Sequence, residues 1–123
     1  MAHILVIDDD AIIRRMLMER LTDAGYQVFE AGHGNEGLKV MRAEPADLVL
    51  CDLYMPEKEG LETIQELRRN YPELKIIAMS GGNRKSPVDL LPIAKSMGAN
   101  ETIHKPFKLA ELVQLIDSML SAG

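Results

Sequence analysis

Residues 47–52 read DLVLCD, four apolar side chains (Leu48, Val49, Leu50 and Cys51) closed by Asp52. An unbroken apolar run of this length does not alternate as a half-exposed strand would. It fits a strand buried on both faces within a parallel sheet. Working outward, the same form recurs. Residues 3–10 read HILVIDDD, in which Ile4 to Ile7 run uninterrupted into Asp8, Asp9 and Asp10. Tyr26 to Ala31 reads as a further strand, Leu74 to Met79 as another, and Glu101 to His104 as a short last one.

Between these runs the period changes from continuous to helical. Ile13, Met16, Leu17 and Leu21 recur at the spacing of a helix, with Gly25 placed to stop it. Residues 35–43 form a second helix. Leu61, Ile64 and Leu67 mark a third, closed near Asn70 and Pro72, and residues 109–120 carry a last one with apolar positions at 109, 112, 113, 116 and 120. The segment between Ser80 and Met97 is less regular, because Pro92 fits a helix only in its first turn. A helix starting near Asp89 to Leu91 after a long loop satisfies that constraint, and a kinked helix from Ser86–Pro87 is the alternative. Five strands alternating with five helices predict an α/β, parallel five-stranded sheet flanked on both sides, and right-handed crossovers limit it to a few doubly wound orders, 2-1-3-4-5 among them. Residues 1–123 then make a single domain.

Composition narrows the function. With 46% hydrophobic residues the chain can bury a core without disulfides, and its one cysteine, Cys51, cannot form an internal bridge and suggests a reducing compartment. A formal net charge of −5 leaves no basic face for a phosphate backbone, which argues against direct nucleic-acid binding. The N-terminal apolar run is too short for a membrane span and ends in acids, so a cytoplasmic location without membrane attachment is expected.

In doubly wound sheets the ligand crevice lies beyond the carboxyl ends of the strands, where the order switches. Asp8 and Asp9 end the first strand, Asp52 ends the third, Ser80 follows the fourth and Lys105 follows the fifth. Three carboxylates brought together repel one another unless a cation intervenes. Mg²⁺ suits such a set, since it takes one or two carboxylates and keeps its other positions for water or a phosphoryl oxygen. Lys105 adds a positive charge and Ser80 a hydroxyl donor. A carboxylate can act as nucleophile towards phosphorus, and phosphoryl transfer asks mainly for positioning and charge neutralisation. Asp10 is expected to cap the first helix.

With these residues in view, the chain resembles the receiver domains of two-component response regulators over essentially its whole length, stand-alone and of the chemotaxis-regulator type. The resemblance is carried by ILVIDDD (4–10), DLVLCDLYMPEKEG (47–60), IIAMSGG (76–82) and HKPF (104–107). It implies a flavodoxin-like fold, Asp52 as phosphoacceptor, Asp9 as a metal ligand assisted by Asp8, and the backbone carbonyl of Tyr54 as a further ligand to Mg²⁺. It also implies Ser80 as the switch hydroxyl, Lys105 as the cation pairing with the phosphoryl group, and a cis bond before Pro106. The partners implied are a sensor histidine kinase or phosphotransfer protein, a downstream protein bound through the helix 4–strand 5–helix 5 surface, and a possible second copy on phosphorylation. No effector domain follows Gly123, so output is expected through a protein contact unless the chain is a fragment. The chain departs from the pattern at Glu59 and Lys58, and more tellingly at Thr102, where an aromatic switch residue is common. Without a ring there, output is expected to run through residues 81–91.

Other features carry blander readings. Gly32-His33-Gly34-Asn35-Glu36-Gly37 spells GxGxxG, but it follows an expected edge strand and the first strand carries acids, so a glycine turn opening a helix is preferred to a dinucleotide site. His3, His33 and His104 share no metal-ligand spacing, and His104 should face away from Lys105. Cys51 reads as a small core residue. Arg14 and Arg15, with Glu19, read as a solvated helix face with an i,i+4 pair, a partner contact being the alternative. The chain is thus expected to be a phosphorylation-dependent signalling module rather than an enzyme acting on a separate substrate. The alternatives are a pseudo-receiver that never takes phosphate and an aspartyl-phosphate phosphatase. The latter would want a second acid soon after Asp52 and a cap segment, and the sequence offers neither.

Overall fold

The computed structural model describes residues 2–53, 60–81 and 91–121. The elements run β1 (His3–Ile7), α1 (Ala11–Asp23), β2 (Gln27–Ala31), α2 (Gly34–Ala43), β3 (Leu48–Asp52), α3 (Gly60–Asn70), β4 (Lys75–Gly81), α4 (Leu91–Met97), β5 (Glu101–Lys105) and α5 (Leu109–Ser121). All strand pairs are parallel, in the order β2-β1-β3-β4-β5, as the sequence predicts. Ser80 and Lys105 lie inside the ends of β4 and β5 rather than beyond them, because the ladder between these strands continues to the pair Gly81–Lys105.

The apolar runs are continuous because each strand feeds two cores. Alternate residues point to opposite faces. Leu5, Ile7, Val49, Cys51, Ile76 and Ala78 pack with Leu38 and Met41 of α2, Ile64 and Leu67 of α3, and Leu91 and Ala94 of α4. Ile4, Val6, Leu48, Leu50, Ile77 and Met79 pack with Leu17 and Leu21 of α1 and Leu112 and Ile116 of α5.

Local chemistry sets the helix ends. Asp10 caps α1, its carboxylate accepting from the amides of Ile12 at 2.9 Å and Ile13 at 3.3 Å. Gly25, at φ +100°, follows the last turn. Met16, grouped by spacing with the apolar positions of this helix, is instead 49% exposed, and Ile12 is exposed as well. The stripe that reaches the core runs through Leu17 and Leu21, and Met16 falls about 100° off it. Pro92 stands second among the described residues of α4, which agrees with a start near Leu91; the alternative start at Ser86–Pro87 lies outside the described residues. Among the described residues no helix is long and apolar enough to cross a membrane.

Candidate phosphoacceptor site

The strand order places the carboxyl ends of β1, β3 and β4 side by side, with β5 next to β4. Asp8 directly follows β1, and its amide donates to the Ala31 carbonyl at 3.1 Å. Its Oδ1 accepts from the Asp10 amide at 2.9 Å, which fixes the carboxylate against the turn into α1. Asp52 is the last residue of β3 and lies in register with Met79. Asp8 and Asp52 are fully buried, whereas Asp9 is exposed.

Each of the three acids offers a carboxylate oxygen, and these atoms lie within 4.8 Å of one another. Lys105 enters from β5. Its Nζ stands 2.8 Å from Asp8 Oδ2 and 3.6 Å from Asp52 Oδ1. Among the described residues, three convergent carboxylates are thus met by one ammonium, which pairs with Asp8 and Asp52, and these two are out of contact with water, where like-charge repulsion is least screened. The donor set is all oxygen, anionic and convergent, which is the chemistry of a hard divalent cation such as Mg²⁺. Asp8, Asp9 and Asp52 therefore fit that ion.

The surroundings hold Asp52 in place. The Gly60 amide donates to the Leu53 carbonyl at 3.3 Å, so α3 begins against the chain leaving β3. A Cβ at position 60 would lie 2.3 Å from the Asp52 carbonyl oxygen, so only glycine permits this approach. Cys51, on the opposite face of the strand, is fully buried. Burial first, and then the Asp52 and Asp8 carboxylates, push its thiol pKa far up, so it remains a neutral core residue.

Ser80 is buried in the penultimate position of β4, in register with His104. Thr102 is half-buried in β5, in register with Ala78, and the Lys105–Pro106 bond is cis. His104 is exposed. Tyr54, Lys58, Glu59, Gly82 and the remainder of the segment before Leu91 lie outside the described residues. The GxGxxG stretch is a helix cap. His33 Nδ1 accepts from the Glu36 amide, and Glu36 Oε1 accepts from the Gly32 amide at 2.6 Å, so a carboxylate already takes an amide that a phosphate would need.

One expectation is corrected. Arg14 does not belong to a solvated face with Arg15 and Glu19. Its Nε lies 2.7 Å from Glu30 Oε1, and its Nη1 donates to the Asp8 carbonyl at 2.7 Å. Arg15 and Glu19 are both exposed, with no ion pair between them among the described residues. Arg14 sits three and seven residues before Leu17 and Leu21, on the inward stripe, and that spacing is the signal that separates it from Arg15.

A doubly wound sheet with an acid triad and a lysine at the switch point defines a class, and comparison with known proteins names it. The response regulator receiver domain model matches residues 4–117, and the chain belongs to that family. A probable chemotaxis protein CheY of Rhizobium etli is 33% identical over 124 residues, covering 97% of this chain and 92% of the relative. A probable C4-dicarboxylate response regulator, DctR, of Bacillus subtilis is 35% identical over 93% of this chain and 50% of its own length. The chain thus spans about half the length of several curated relatives it matches. Among solved structures, the CheY-like receiver domain protein of Methanospirillum hungatei superposes with a TM-score of 0.91 at 28% identity, covering 99% and 95% of the two chains. The receiver domain of NtrX from Brucella abortus gives 0.89 at 27% identity, covering 98% and 99%.

Proposed function

We propose that this receiver domain accepts a phosphoryl group on Asp52. The observation that carries the reading is the convergence of the Asp8, Asp9 and Asp52 oxygens within 4.8 Å, with Lys105 bridging Asp8 and Asp52. An Asp52 carboxylate oxygen attacks phosphorus, a new O–P bond forms, and the bond from phosphorus to the donor's leaving group breaks. Asp8, Asp9 and Asp52, with the Tyr54 carbonyl that the family pattern implies, would hold Mg²⁺. That ion supplies charge neutralisation for the phosphoryl oxygens. Lys105 turns its ammonium from the carboxylates to the phosphoryl group, and the buried Ser80 hydroxyl donates to it.

The donor in this reading is a histidine kinase or phosphotransfer protein, or a small phosphodonor in its place. Residues 1–123 act as one receiver unit in the cytoplasm, self-modifying at Asp52 without turning over a separate substrate. Movement around Ser80 and Lys105 biases the surface of α4, β5 and α5 towards one of two packings, which a downstream protein or a second copy reads. Because Thr102 has no ring to reorient, that movement does not run through an aromatic switch in β5.

Intact mass after incubation with acetyl phosphate tests the reading. One added phosphoryl group is expected with Mg²⁺, none with a chelator, and none in Asp52→Asn. An absent adduct together with no spectral response to beryllium fluoride and Mg²⁺ would instead indicate a pseudo-receiver.

A further inference from the structure

The geometry points to Arg14 as a positioning residue for the metal site, an inference that rests on the proposed binding of Mg²⁺ by Asp8, Asp9 and Asp52. Asp8 is held by its own contacts, with the Asp10 amide on Oδ1 and Lys105 on Oδ2. Asp9 is different. It is exposed, and its carboxylate takes no hydrogen bond from a described residue, yet it lies within 4.8 Å of the other two acids. Its placement is inherited from the backbone, and in particular from the plane of the Asp8–Asp9 peptide.

That peptide is clamped by Arg14. Nη1 donates to the Asp8 carbonyl at 2.7 Å, while Nε is anchored at 2.7 Å on Glu30, which sits in β2 beside the strand that Asp8 leaves. The guanidinium side chain is four-fifths shielded from water. A planar guanidinium presents its donors in a fixed fork, so its anchor on Glu30 of β2 sets the direction from which it meets the Asp8 carbonyl just beyond β1. On the other side of the same turn, the Asp8 amide is tied to Ala31. Arg14 thus aims the Asp9 carboxylate at the cation without touching the cation.

Charge and position make opposite predictions here. Arg14 is a cation near a cation site, so its removal through charge alone would tighten Mg²⁺ binding. If Arg14 acts by holding the Asp8–Asp9 peptide, its removal weakens binding, by roughly tenfold at the lower end of what supporting contacts to metal ligands contribute. Calorimetric titration of Mg²⁺ into wild-type protein, Arg14→Gln, Arg14→Lys and Arg15→Gln separates them. The expected order is wild type and Arg15→Gln alike, Arg14→Lys several-fold weaker despite its retained charge, and Arg14→Gln weakest. Equal or tighter binding by folded Arg14→Gln overturns the inference. If that variant does not fold, Arg14→Lys decides, and wild-type affinity there overturns it too. Wild-type protein that binds no Mg²⁺ would instead remove the metal reading on which the inference stands.

Discussion

Asp8, Asp52 and Lys105 show how little slack the site has at the scale of single residues. The ammonium lies between two buried carboxylates, and Asp8 loses its charge partner if it is removed. Lys105→Met is expected to destabilise the metal-free protein by about 2 kcal/mol, below the 3–5 kcal/mol for a fully buried pair because the lysine side chain keeps some exposure. Urea unfolding in chelator measures the loss, and saturating Mg²⁺ should recover part of it by binding only the folded state. These residues were legible in the sequence because each stands at the end of a strand, Asp8 and Asp52 closing apolar runs, and strands that end together in a parallel sheet deliver their last side chains to one edge. The role of Arg14 was not legible from charge. Its acceptors are a backbone carbonyl and a glutamate sixteen residues away, so only its place on the inward stripe distinguishes it from Arg15.

Elements are held in position by contacts that the apolar pattern does not encode. Helix α2 approaches β1 so closely that a Cβ at Gly37 would lie 2.4 Å from Ile7 Cδ1. Gly37→Ala should therefore cost about 1–3 kcal/mol in urea unfolding, and pairing it with Ile7→Ala should cost less than the two losses added. Tyr26 joins the start of β2 to α5 by donating its hydroxyl to Asp117. Burial first, and then this carboxylate, push the phenol pKa up to about 12. Since the folded value lies above the value of about 10 for a free tyrosine, the unfolded chain loses its proton first, and stability falls as pH rises from about 10 to 12. Tyr26→Phe should flatten that part of the stability profile in guanidinium unfolding. The Arg68 guanidinium reaches the carbonyls of Tyr71, Pro72, Leu74 and Gly98 and the Asn100 side chain, joining the turn after α3 to the turn before β5. Such a contact escapes a sequence reading, because backbone carbonyls carry no residue-specific signal.

Over the whole molecule, the two-sided burial of β1, β3 and β4 makes the sheet a rigid floor, and the acids stand at its rim. Strand and helix count followed from the alternation of apolar runs and the strand order from the family resemblance, whereas Met16 shows that helical spacing alone does not say which face the core takes. The central claim is that Asp52, and no other acid at this rim, carries the phosphoryl group. An acyl phosphate is reduced by borohydride, which converts the modified aspartate to homoserine while leaving free carboxylates intact. Peptide mass mapping after incubation with acetyl phosphate, Mg²⁺ and borohydride is therefore the most direct measurement. Homoserine at position 52, absent when Mg²⁺ is chelated, is the expected result; homoserine at position 8 or 9 with Asp52 unmodified would contradict it.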